Sequence, residues 1–219
     1  MQSDLSPSGR KLGYRSALLA TFFSVVYIIF QLAEWFNLLG SGGGPENSST
    51  VLGIIVLLVP SLFLGPSFLL MMLALHYYAR LERKIWTHAA VIFATIYCAL
   101  ISINYFVQLT FVAPNMARSE MENIRPFLFT PFNSFLYSVD ILGYSFMSLS
   151  TLFAASALTT ENQLELTAKR FLAANGLLIP FIALQNFYHP FIWPAALWAI
   201  TFPGSTVCLA LLFKRLENR

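Results

Sequence analysis

Six long apolar runs, with nearly all of the cations gathered in two of the short turns between them and in the two terminal tails, leave this chain one solvent to fold in, which is lipid. An α-helix needs about 20 apolar residues to cross a hydrocarbon core about 30 Å thick. The windows that meet or approach this are Ser16 to Leu38, Val51 to Tyr78, Ile85 to Ala113, Phe132 to Leu158, Phe171 to Phe187 and Ile192 to Phe213. The fifth is the shortest. Lipid satisfies no backbone N–H or C=O, so each run must close its own hydrogen bonds. The expected fold is therefore all-α: a polytopic bundle of six transmembrane helices, forming one domain over residues 1–219.

The cations orient it. Of 13 Lys and Arg, only Arg118 and Arg125 lie outside four clusters. These are Arg10, Lys11 and Arg15; Arg80, Arg83 and Lys84; Lys169 and Arg170; and Lys214, Arg215 and Arg219. Basic loops resist translocation, so both termini are expected on the cytoplasmic side. The first run follows a basic stretch, as a secretory signal would. It spans 23 residues and no clean A-x-A site follows it, which predicts a retained helix.

Composition fits a membrane chain: 57% of residues are hydrophobic and 11% charged, against about 25% charged in ordinary globular domains. The net charge of +3 resides in turns that would meet anionic headgroups. Membrane lipids are thus expected partners, and nucleic acid is not needed to explain the charge. Cys98 and Cys208 fall inside apolar runs and read as small hydrophobes.

The connections have their own patterns. Residues 40–50 form a Gly/Ser-rich outer loop containing the sequon Asn47-Ser48-Ser49. In the Pro114 to Pro131 loop, Arg118, Glu122 and Arg125 recur at helical spacing while Met121, Ile124 and Leu128 share another face. This predicts a short interfacial helix, either a lid over the outer mouth or a passive connector. The segment from Thr160 to Arg170 is polar and expected to be partly helical. Pro60, Pro66, Pro180 and Pro203 should kink their helices. A duplicated three-helix unit is not favoured, because Glu34 and Asp140 would not superpose in an inverted repeat.

Glu34 and Asp140 are the only acids within the six windows, and no Lys or Arg lies deep enough to pair with them. An ionised carboxylate there costs several kcal/mol, so each must be protonated, hydrogen-bonded or in contact with water. Asn104 and Gln108 share a face of the third helix at i,i+4, Gln31 shares that of Glu34, and Tyr137 and Tyr144 flank Asp140. At 1.5 Å per residue, Glu34, Asn104, Gln108 and Asp140 lie in the outer half of the bundle. The expected site is an outward-facing polar pocket. Asp140 is its principal titratable or cation-binding group, oriented by Asn104, Gln108, Tyr137 and Tyr144. Glu34 either joins the pocket or is solvated at the interface. The competing reading is a hydrogen-bond network that only fixes helix packing.

His76 and His88 flank the inner turn and read as interfacial anchors rather than metal ligands; His189 stands on the opposite side. No nucleophile elbow, H-E-x-x-H, P-loop or Rossmann glycine pattern is present, and no cofactor is expected.

The stretches ISINYFVQLT, from Ile101 to Thr110, and YSVDILGYSFMSLSTLFAA, from Tyr137 to Ala155, resemble uncharacterised six-helix membrane proteins of prokaryotes. The resemblance covers mainly helices three and four. It implies six crossings and a prokaryotic plasma membrane, and it assigns no functional residue.

Together these features lead first to a protein that binds or transports a small molecule, ion or lipid through the outer-half pocket. The alternatives are an accessory or structural subunit of a membrane complex, with a membrane protein partner, and an intramembrane enzyme.

Overall fold

A computed structural model describes residues 5–44, 47, 49–130, 132–160 and 162–217. Ser48 of the sequon and Arg219 of the last basic cluster lie outside the described residues. Among those described, the fold is helical with no strand. Six segments are long and apolar enough to cross a membrane: Pro7–Trp35, Val51–Tyr78, Leu81–Ala117, Phe135–Ala157, Gln163–Leu184 and His189–Glu217.

Helix ends differ from the apolar windows because polar caps, and not hydropathy, set them. α1 (Pro7–Trp35) starts nine residues before its window: Ser6 accepts a hydrogen bond from the Gly9 N–H, and Pro7 occupies the first turn. α2 (Val51–Tyr78) is capped by Thr50, whose Oγ1 accepts from the Gly53 N–H at 3.1 Å. α3 (Lys84–Val107) runs through a π-helical stretch, Gln108–Val112, into α4 (Ala113–Ala117). α5 (Phe135–Ala157) is capped by Ser134 and starts three residues later than its window. α6 (Gln163–Gly176) is capped by Asn162, so the polar stretch before Phe171 is the start of the fifth span. That span breaks at Leu177 and Leu178, just before Pro180, and resumes as α7 (Ile179–Leu184). α8 (Ile192–Ala195) is one turn that leads into α9 (Trp198–Glu217).

The spans close into a ring: α1 packs on α2, α2 on α3, α3 on α5, α5 on α6, α6 on α9 and α9 on α1. Close approach is made possible where side chains are small. A Cβ on Gly176 would lie 2.5 Å from that of Leu152, so α5 and α6 touch through the bare glycine. Buried polar groups also link the ring. Asn175 donates to Thr151 on α5 and accepts from Thr201 on α9, both at 3.0 Å. Thr21 on α1 donates to Thr206 on α9 at 2.8 Å. Leu18, Phe22, Ile29, Phe63, Ile92, Ile103, Phe106 and Ile200 remain exposed on the outside, a surface suited to acyl chains.

One face of the ring gathers the basic turns. Arg10 donates to the Leu216 carbonyl at 2.6 Å, which brings the start of α1 to the end of α9. Arg83 donates to the Leu158 carbonyl at 3.0 Å, and Tyr78 donates to Glu165 at 2.5 Å. The His76 and His88 rings are 5.7 Å apart, with His76 Nδ1 on Thr87.

The interfacial helix expected in the Pro114 to Pro131 loop does not form. Ser119 takes a left-handed backbone (φ 62°) that ends α4, and only one 3-10 turn, Arg125–Phe127, follows. Arg118 pairs with Glu120 at 3.1 Å instead of Glu122. Ile124 is fully buried while Met121 stays exposed, so the two do not share a face.

Candidate functional site

At the face opposite the basic turns, the axis of the ring opens into a cavity of about 470 Å³. Every span contributes to its wall, and Ser41, Gly44, Asn47 and Ser49 from one loop and Leu128, Phe129, Thr130 and Phe132 from another form its rim.

Asp140 comes from the second turn of α5. With Phe135 as the first helical residue, it lies five residues in, or about 7.5 Å along the axis. That is shallower than the 12 Å implied by a start at Phe132. Asn104, fully buried on α3, holds the acid from behind. Its Nδ2 donates to Asp140 Oδ1 at 3.2 Å and to the Leu136 carbonyl at 3.1 Å. The Tyr105 hydroxyl donates to that of Tyr144 at 3.2 Å and also interacts with the Asp140 carboxylate.

Glu34 approaches from α1 and is only 3% exposed, so it is enclosed and not merely wet. Its carboxylate occupies the space that a side chain at position 53 would take: a Cβ on Gly53 would overlap Oε1. Neither carboxylate oxygen has a hydrogen-bond partner among the described residues. A buried acid left in this way costs several kcal/mol, which packing alone gives no reason to retain.

Aromatic rings complete the wall. Trp198 is flanked edge-on by Tyr27 at 5.9 Å and Tyr144 at 5.7 Å, and its indole N–H has no partner among the described residues. Tyr27 donates to Gln31 at 3.0 Å. Phe132, at φ 58°, lies on the His189 ring at a centroid distance of 4.0 Å and against Tyr137 at 5.1 Å. His189 is thus part of the rim structure. On the side of the basic turns the axis is filled. Phe202 stacks beneath Trp198 at 5.2 Å, and Phe68 meets Phe202 and Tyr97, each at 5.6 Å. Phe68, Tyr97 and Phe202 have no exposed surface.

Five of the six residues expected at the pocket line it: Glu34, Gln108, Tyr137, Asp140 and Tyr144. Asn104 stands behind Asp140, outside the lining. Gln108 does not orient the acid as expected; its Nε2 donates to the Phe127 carbonyl at 2.8 Å and ties the long loop to the start of the π stretch. The loop enters the site as an irregular strap, with Leu128, Phe129 and Thr130 on the cavity. Tyr27, Tyr105, Gln185 and Trp198 were not anticipated. The i,i+4 relation of Tyr27 to Gln31 was a readable signal. An indole in an apolar run carries none, because lipid and cavity accept it equally.

Among the described residues, no cluster of three His, Cys, Asp or Glu has metal-binding proximity. Comparison with family models, curated proteins and solved structures returned no match. The chemical reading therefore rests on the cavity itself: two acids, amides and phenols on an otherwise apolar, aromatic wall.

Proposed function

We propose that this chain is a multi-pass protein of a prokaryotic plasma membrane that binds a small molecule in the cavity containing Asp140 and Glu34, as a binding protein or as one state of a transporter. The observation that carries the reading is the enclosure of a Glu34 carboxylate, without a hydrogen-bond partner among the described residues, beside a cavity of about 470 Å³. That size falls within the roughly 300–1,000 Å³ typical of ligand sites. The basic turns support a cytoplasmic position for the opposite face, which puts the mouth outside. Transport would require the Phe68, Tyr97 and Phe202 floor to part. Pro66, two residues before Phe68, and Pro203, which follows Phe202, supply places where α2 and α9 lack a backbone hydrogen bond.

A packing role for Asp140 is the second reading, favoured by the Asn104 bond that ties α3 to α5. It accounts for one acid and leaves Glu34 unexplained. The test is Asp140→Asn in the full chain. Retained folding with lost ligand binding or uptake supports a site; a loosened bundle or a lost membrane partner supports packing.

A further inference from the structure

We propose that the ligand is an organic cation: a protonated or quaternary amine with an aromatic or branched apolar body. This rests on the reading of the cavity as a binding site and names what it takes.

Charge is the first argument. Both ionisable side chains with full charge potential on the wall, Glu34 and Asp140, are acids, and no Lys, Arg or His lines the cavity among the described residues. An anionic ligand would meet two carboxylates and no counter-charge. A neutral one could donate a hydrogen bond to Glu34, which has no partner among the described residues, but would leave its charge uncompensated. A cation removes that cost, because its charge is compensated where water is scarce.

The wall makes the second argument, since an inorganic cation and an organic one need different surroundings. A hard metal ion takes six to eight oxygen ligands at about 2.3–2.6 Å. Here the acids stand on α1 and α5, and among the described residues no third acid or histidine joins them in a metal-binding group. The lining is instead rich in aromatic rings: Tyr27, Trp35, Tyr105, Tyr144 and Trp198 line the cavity together with Phe129 of the strap. Rings within about 6 Å of an alkylammonium attract it through their faces, and such cages tolerate its bulk. Tyr27, Trp198 and Tyr144 supply such rings to the lining, with both phenols perpendicular to the one indole.

The experiment is calorimetric titration of the full-length protein in lipid nanodiscs with three probes of similar shape: benzyltrimethylammonium, its neutral carbon isostere neopentylbenzene, and benzenesulfonate. The cation alone should bind. Asp140→Asn and, as a second variant, Glu34→Gln should each weaken it by about thirtyfold or more, the loss expected when one partner of a desolvated charge pair is removed. Equal binding of the neutral probe, or preference for the sulfonate, would overturn the cation assignment while leaving the cavity a binding site. Failure of all three probes, with no small molecule co-purifying by native mass spectrometry, would overturn both readings. Unchanged affinity for the cation in folded Asp140→Asn and Glu34→Gln proteins would overturn the assignment to this cavity.

Discussion

The Glu34 carboxylate lies against the bare Cα of Gly53, in space that any other residue at position 53 would occupy. An acid on α1 and a glycine on α2, 19 positions apart, are therefore one structural unit. Gly53→Ala should force the carboxylate to move and destabilise the protein by about 1–3 kcal/mol, the usual cost of overpacking. In a Glu34→Ala background the same substitution should cost much less. Thermal unfolding of the two single variants and the double variant measures this coupling. Additive losses would mean that the two residues do not share the space.

Asn104 serves Asp140 and is not itself exposed to the cavity. Asn104→Leu should lower stability by about 1–3 kcal/mol, because a buried acceptor loses its donor. Asn175→Leu, which breaks the Thr151 and Thr201 links deeper in the bundle, should cost about 0.6–2 kcal/mol. Only the first should also change binding of benzyltrimethylammonium, as read by titration.

Gln108 fastens the strap through the Phe127 carbonyl. Gln108→Leu should leave the bundle nearly as stable, within about 1.5 kcal/mol for one hydrogen bond. It should raise amide hydrogen exchange between residues 118 and 130. Equal exchange in both proteins would show that the strap is held by its apolar contacts alone.

The orientation can be read chemically. Leu81 is 79% exposed in the turn with Arg80, Arg83 and Lys84. With Cys98 and Cys208 replaced, Leu81→Cys should react with a membrane-impermeant maleimide only after cells are opened. Labelling from outside intact cells would invert the topology.

The sequence disclosed what lipid dictates and little that depends on pairing between helices. Apolar runs revealed all six spans, because a crossing demands length and hydropathy and nothing else. Their ends escaped, since Ser6 and Asn162 cap helices that extend well into polar sequence. The strap escaped for a different reason. Helical spacing of Arg118, Glu122 and Arg125 predicts a helix only if the backbone allows one, and a left-handed Ser119 does not. At the site, the acids and amides stood out because lipid cannot satisfy them, and their common depth followed from counting residues. The fit of Glu34 into Gly53 and the place of Trp198 between two tyrosines depend on α1, α2, α5 and α9 meeting, which no single run reveals.

Native mass spectrometry of the wild-type protein beside Ala195→Trp, a substitution that fills part of the cavity, tests the central claim most directly. The wild type should retain a small molecule that is absent from the filled variant, with both proteins folded. The same bound mass in both, or none in either together with unchanged response to every probe, would contradict a ligand site between Glu34 and Asp140.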